Sequence, residues 1–179
     1  MAASKFPSTQ YTSQQFVESC GAVLFDFSGP ANKVCLLHHR PTGEWLLAKG
    51  RRNCGEPRGK AALREVQEET GYACHLHPVK MATRAPDPME TSHAPDQARS
   101  YPQLTEPFML TTRELGGEGQ NVKLIWWFIA EVDSVGAESV EGEEEFTAHF
   151  FGYEEALQRL TFKGDRDVLQ RAIDLVEGS

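Results

Sequence analysis

The sequence predicts an α+β fold, an α/β/α sandwich with one mixed β-sheet packed between helices. Three observations predict it. Two β-rich runs, residues 19–27 (SCGAVLFDF) and 33–40 (KVCLLHHR), flank the turn cluster SGPAN, the pattern of a hairpin. Residues 122–132 (VKLIWWFIAEV) are almost wholly apolar, which suits a central strand buried on both faces. Helical segments interrupt and follow the strands, at 58–70 and at the C-terminal end.

Taken in order, residues 1–16 are polar and read as a flexible N-terminal arm before a single domain over 17–179. After the hairpin, residues 44–50 (EWLLAKG) form a short strand ending at Gly50. Residues 58–70 form the first helix. Residues 72–85 (YACHLHPVKMATRA) alternate weakly and read as one strand. Residues 85–104 hold four prolines and almost no large apolar side chain, so they are expected to be an insert loop or a lid. Strands at 107–115 and 122–132 surround the turn GGEGQN. An acidic loop at 135–146 leads to a last strand at 147–152. Helices follow at 153–160 and 165–177, with Asp165 or Asp167 placed to favour the second N-terminus. The expected order is β-β-β-α-β-β-β-β-α-α.

The formal charge of −8 argues against long nucleic acid as a partner, since such binders carry a basic surface. It leaves room for a small anion in a locally basic pocket. The N-terminus lacks an apolar signal core, and no run approaches the roughly 20 apolar residues of a membrane span. Cys20, Cys35, Cys54 and Cys74 match no zinc spacing and read as free thiols, implying the cytosol with access to the nucleus.

The segment KGRRNCGEPRGKAALREVQEETGY, residues 49–72, carries the chemistry. Pro57 suits the first helical position and Gly71 the C′ position. At 100° per residue, Glu68 and Glu69 lie about −60° and +40° from Glu65, while Leu63, Val66 and Thr70 fall at about 160°, 100° and 140°. One face therefore packs on the sheet and another carries three carboxylates. Like charges so spaced cost a few tenths of a kcal/mol per pair, so an acidic face of this kind is either solvated or used. Arg64 lies beside Glu68 at i+4 and can hold a carboxylate. Three carboxylates suit a hard cation, Mg²⁺ or Mn²⁺, that keeps positions open for phosphate oxygens. Lys49, Arg51 and Arg52 can neutralise those phosphates, and Gly50 lets the backbone turn toward the metal.

This segment resembles the Nudix box, G-x5-E-x7-R-E-U-x-E-E-x-G-U, through Gly50, Glu56, Arg64, Glu65, Val66, Glu68, Glu69 and Gly71. The departure is Tyr72 at the final aliphatic position. FFGYEEAL resembles the family's last strand running into a helix, with Phe150 where a tryptophan often stands. The resemblance implies a Nudix fold and hydrolysis of a diphosphate linked to a further group. It implies Glu65 and Glu69 as metal ligands, Glu68 next, and the Gly50 carbonyl beside them. Glu56 would support the metal waters and Arg64 would orient Glu65. The base is a box glutamate or lies in EGEEEF, where Glu143, Glu144 and Glu145 are candidates and Glu144 is preferred. A non-catalytic binding module would show damage at Glu65, Glu68 or Glu69, and there is none.

Two small phosphorylated substrates compete. A diphosphoinositol polyphosphate (inositol pyrophosphate) wants many cations, and ten of the 18 basic residues lie between Lys33 and Arg84. Arg40, Lys49, Arg51, Arg52, Lys60, Lys80 and Arg84 are candidates, and the chain resembles short fungal Nudix proteins of this kind. A diadenosine polyphosphate wants an aromatic platform. RLTFKGDRDVL resembles the C-terminal segment of asymmetric diadenosine tetraphosphate hydrolases, which points to Phe162 and Lys163, with Tyr101 as a second platform. Otherwise Phe162 is a core aromatic. ADP-ribose and capped RNA have no dedicated signal. His75 and His77 read as ordinary histidines, because two ligands do not make a zinc site. His38 and His39 end a strand near the box, Trp126 and Trp127 pack on opposite faces, and Trp45 lines the pocket mouth. The chain is expected to be a monomer or a homodimer.

Overall fold

The computed structural model describes residues 5–89, 95–116, 121–133 and 142–178. The hairpin forms as expected. β1 (Phe16–Asp26) and β2 (Lys33–His39) pair antiparallel at Phe25↔Val34 and Asp26↔Lys33. The Asp26 carboxylate closes the turn by accepting the Ser28 N–H and hydroxyl at 2.9 and 2.6 Å. Phe16, assigned to the arm, already belongs to the strand, because its backbone pairs with Val122.

Residues 44–50 form two strands rather than one. β3 (Glu44–Leu46) pairs with β2, then the chain crosses over so that β4 (Lys49–Arg51) pairs with β1 at Ser19–Gly21. Buried Leu47 and Ala48 make the crossing, and the Ala48 carbonyl accepts the Ala22 N–H at 3.3 Å.

β9 (Asn121–Val132) is central, as its apolar sequence predicts. It runs parallel to β1 from Phe16↔Val122 to Phe25↔Glu131 and antiparallel to β8 (Met109–Gly116). The main sheet has the order β10-β2-β1-β9-β5, with β3 on β2, β4 on β1 and β8 on β9. Here β5 is Cys74–Leu76 and β10 is Phe146–Phe151.

Strand alternation sends successive side chains to opposite faces. On one face Cys20, Ala22, Leu24, Leu37, Phe128 and Ala130 pack on Ala61, Ala62 and Val66 of α1 (Arg58–Thr70). On the other, Val23, Phe25, Leu36, Ile125, Trp127 and Ile129 pack on α2 (Tyr153–Arg159) and α3 (Lys163–Glu177) through Ala156, Leu160, Val168, Leu169 and Ala172. This is the expected sandwich.

The single strand expected over 72–85 breaks. β5 joins the main sheet, while β6 (Val79–Thr83) pairs with β7 (Arg99–Leu104) in a separate two-stranded sheet. Pro78 is the cause: it has no N–H to continue the ladder after His77 donates to the Ile129 carbonyl. Residues 99–104 are therefore strand rather than loop. Pro102 is tolerated on this short ribbon, and Gln103 takes φ +57° where the pairing register slips. Among the described residues four strands thus precede α1 and six follow it. Residues 90–94 of the expected lid, 117–120 of the GGEGQN turn and 135–141 of the acidic loop lie outside the described residues. Among the described residues no helix is long and apolar enough to cross a membrane.

Candidate active site

The site forms where β4 enters α1. Pro57 stands one residue earlier than expected, just outside the helix at φ −62°, ψ 141°, and its carbonyl accepts the Ala61 N–H. Gly71 ends the helix in the left-handed region at φ 77°, its N–H bonded to the Gln67 carbonyl, as its position predicts.

Arg64 is the hub. It donates to both oxygens of Glu56 (2.8 and 3.0 Å), to Glu65 and Glu68 (2.7 Å each) and to the Arg51 carbonyl (3.0 Å). All five guanidinium N–H donors are used. These bonds hold the Glu56 carboxyl down at about 2 and raise the guanidinium's own pKa.

Glu65 and Glu69 are buried, while Glu68 is exposed. Burial raises the Glu65 carboxyl against the pull of Arg64. Burial pushes Glu69 up to about 8, against the Lys49 charge and the Lys49 N–H that its Oε2 accepts at 2.8 Å. The charges of Glu65 and Glu143 add to that rise. The backbone of Gly50 lies against the Glu65 carboxylate so closely that a Cβ there would overlap it. Two buried, mutually repelling carboxylates against the partly buried backbone of β4 fit a hard divalent cation by donor chemistry. Among the described residues no cage of three His, Cys, Asp or Glu side chains is closed: Arg64 draws Glu65 and Glu68 oxygens to itself, and the Lys49 amide holds one of Glu69.

The loop before β10 docks on the C-terminal end of α1. The Glu143 N–H donates to the Glu68 carbonyl at 3.0 Å, and Gly142 lies against the Glu69 carbonyl. The Glu143 charge acts on both Glu65 and Glu69. Glu144 is exposed, with no hydrogen bond or ion pair to the box among the described residues. Glu145 turns to His39 at 3.8 Å, and its carbonyl accepts the Arg40 N–H.

The basic residues divide. Lys49 and Arg51 stand on β4 beside the carboxylates. Arg52 turns to the α1 side, where Glu18 accepts from it at 2.9 Å and the Glu56 carbonyl takes another N–H. Glu18 also accepts from Arg58 and from the Trp126 indole, and Arg58 stacks 4.3 Å over that ring. Burial would raise Glu18, but the Arg58 and Trp126 hydrogen bonds outweigh it and hold the carboxyl low. Arg40 bonds Thr147, Arg84 grips Asp96 with two bonds in the open, and Lys163 pairs with Asp167. Lys80 is exposed on β6, in the ribbon beside α3. Phe162 is no core aromatic: it is 44% exposed at the N-terminus of α3.

Trp45 packs on Phe151 and His149, and its backbone N–H and carbonyl bond Thr161. His75 and His77 pair with Asp133 and Glu131 at 2.7 and 2.8 Å. Three residues near β4 escaped the sequence reading: Arg113 lies across from Lys123 and 3.9 Å from buried Asp165, and the charges of Lys49 and Arg51 act on Lys123. Lys123 carried a signal, being the lone cation of a strand that is apolar apart from Asn121 and Glu131.

The chain belongs to the NUDIX domain family, whose model matches residues 16–172. A curated relative, an 8-oxo-(d)GTP phosphatase of Mycolicibacterium smegmatis, is 26% identical over an alignment of 174 residues covering 92% of this chain. The chain spans 44% of that relative's length. A C. elegans Ap4A hydrolase binary complex superposes with TM-score 0.60 at 17% identity, covering 91% of this chain and 99% of that one. A NUDIX-family hydrolase of Clostridium perfringens gives 0.59 at 15% identity, covering 93% and 98%. These likenesses establish the shared fold.

Two expectations follow from the geometry. Gly50→Ala drives a Cβ into the Glu65 carboxylate, so stability falls by roughly 1–3 kcal/mol and the metal needed for half-maximal activity rises. Thermal melts and a Mg²⁺ titration check both. The second concerns pH. An ordinary glutamate titrates at 4.5 and folded Glu69 at about 8. Between these values the folded chain keeps a proton that the unfolded chain has lost. Metal-free stability therefore falls as pH rises from about 4.5 to about 8, by at most on the order of 5 kcal/mol, and is flat above. Melts in chelator show this slope, and Glu69→Gln reduces it.

Proposed function

We propose that the protein hydrolyses a phosphoanhydride in a small phosphorylated substrate, by attack of water at phosphorus, with a divalent cation held by Glu65 and Glu69. Mg²⁺ is the expected ion, and Mn²⁺ substitutes. The observation that carries this is the pair of buried carboxylates, Glu65 and Glu69, set against the Gly50 backbone. Glu68 and the Gly50 carbonyl complete the donor set. The ion would neutralise phosphate oxygens and acidify water.

The remaining work belongs to the chain. Arg64 holds Glu56, Glu65 and Glu68 in register, so little rearrangement accompanies the reaction. Lys49 and Arg51 bind phosphate oxygens. Glu143 takes the proton of the attacking water, because it is the acidic-loop member tied to α1; this replaces Glu144 as the preferred base. Four thiols free of disulfides suit a reducing compartment, the cytosol with access to the nucleus.

For the substrate, a dinucleoside polyphosphate is favoured. Arg40, Arg52 and Arg84 already have partners, which weakens a phosphate-dense inositol ligand, and Phe162, exposed at the N-terminus of α3, is free to serve a base as a platform. The inositol pyrophosphate reading keeps one supporting observation, the group of cations around Lys49. The test is one Mg²⁺-dependent assay presenting both substrates, with Glu69→Gln as blank. Release of ATP and AMP from diadenosine tetraphosphate supports the first reading. Preferential loss of the inositol β-phosphate favours the second, and no metal-dependent hydrolysis of either overturns both.

A further inference from the structure

Glu18 of β1 has no place in the chemistry described so far, yet three side chains converge on its carboxylate, which is only 10% exposed. Oε1 accepts from the Arg58 guanidinium at 2.9 and 2.6 Å and from the Trp126 indole at 2.9 Å. Oε2 accepts from Arg52 at 2.9 Å, and the Glu18 carbonyl takes the Arg52 N–H at 3.0 Å. The two carboxylate oxygens therefore serve different segments. Oε1 fastens the first residue of α1 to the central strand. Oε2 fastens the loop that precedes the helix, residues 52–57.

That loop has no apolar anchor. Asn53, Cys54, Gly55 and Pro57 are exposed, and Arg52 and Glu56 are only partly covered. Hydrogen bonds set its path instead. Arg52 reaches along it to the Asn53 and Glu56 carbonyls at 3.3 and 2.9 Å. The Asn53 N–H donates to Glu56 Oε2 at 2.9 Å, and the Glu56 N–H donates to the Asn53 carbonyl at 3.2 Å. The Glu56 carboxylate then receives Arg64, which also holds Glu65 and Glu68. One chain of bonds thus runs from Glu18 through Arg52, Glu56 and Arg64 to Glu65. A planar guanidinium suits the Arg52 step, because its fork meets a carboxylate on one side and carbonyls on the other.

We propose that Glu18 is a positioning residue for the hydrolytic centre: through Arg52 it fixes the 52–57 loop and so aims Glu56 at Arg64. Arg52 is then a tie within the fold and not a phosphate ligand. The catalytic meaning rests on the phosphoanhydride-hydrolase reading, whereas the order of the loop can be measured without turnover.

Glu18→Gln separates the two oxygens. Its amide carbonyl keeps the side of Arg58 and Trp126, where the donors are more numerous, and its amide N–H groups turn on Arg52, which is released. The variant is expected to lower kcat about ten-fold with KM within about two-fold of wild type, because the carboxylates lose their aim while the substrate keeps its contacts. Amide exchange at Asn53 and Glu56, followed by NMR, should quicken. Arg52→Met should reproduce both effects, and the Glu18→Gln/Arg52→Met double variant should add little to either, as serial links do. Arg58→Met/Trp126→Phe empties Oε1 and leaves Arg52 on Oε2; it should melt lower yet keep kcat, which distinguishes aim from stability alone. Unchanged kcat or unchanged loop exchange in Glu18→Gln overturns the proposal. So does an equal loss of kcat in Arg58→Met/Trp126→Phe, or a fall in KM with kcat intact, which would place released Arg52 on the substrate. Absence of metal-dependent turnover in wild type, with loop exchange that still quickens in Glu18→Gln, would sink the hydrolase reading and leave Glu18 as the anchor of the loop.

Discussion

Glu69→Gln is expected to lower metal-dependent turnover by about 10³-fold or more while the fold persists. A lost ligand removes several kcal/mol of charge stabilisation at the phosphates, and 4 kcal/mol is about 10³ in rate. The amide is nearly isosteric and still accepts the Lys49 N–H through its carbonyl oxygen, so β4 stays docked on α1. A buried charge disappears as well. In chelator at pH 8 the variant should therefore melt no lower than wild type; thermal scans check this, and phosphate release with metal present checks the loss of turnover. Activity near the wild-type level would remove Glu69 from the metal site.

The second large effect belongs to Arg64. Arg64→Ala strips Glu56, Glu65 and Glu68 of their common partner and frees the Arg51 carbonyl. Breaking a fully buried ion pair costs about 3–5 kcal/mol; Arg64 is partly in water, so roughly 2–3 kcal/mol is expected. For a chain of this size that is about 5–10 °C in Tm. Turnover should fall with it, because Glu65 loses its orientation. Arg64→Lys restores the charge but not the fork, and should recover stability better than activity. The pH dependence has a definite sign. The depressed Glu56 carboxyl contributes stability above about 4.5, and that contribution is lost as pH falls through about 2. The gap between wild type and Arg64→Ala should therefore narrow in acid.

Much of this centre was legible because it is local. Pro57 and Gly71 punctuate α1, so its limits at 58 and 70 followed from backbone chemistry, and helical spacing then grouped the three glutamates. The strands were less legible where periodicity failed. Pro78 divides a weakly alternating run between two sheets, and β7 was hidden because a short ribbon strand needs few large apolar side chains and tolerates Pro102. Charge partners were the least legible. Arg51 and Arg52 are neighbours in sequence, but alternation sends Arg52 toward Glu18, which lies 34 residues away. The cluster of Arg113, Lys123 and Asp165 joins three segments distant in sequence. The reason to prefer Glu143 over Glu144 as the proposed base, its backbone hydrogen bond to α1 and its charge near Glu65 and Glu69, exists only in the folded chain.

The hydrolase reading stands on buried Glu65 and Glu69 as the holders of the divalent cation. Its most direct test is Mn²⁺ binding at pH 7, measured by calorimetry in buffers of different ionisation enthalpy. Glu69, pushed up to about 8, is largely protonated before the ion arrives. Wild-type protein should release close to one proton per ion bound, and Glu69→Gln should bind at least ten-fold more weakly and release far less. Binding of equal strength in the two proteins, with no proton released by either, would contradict the account.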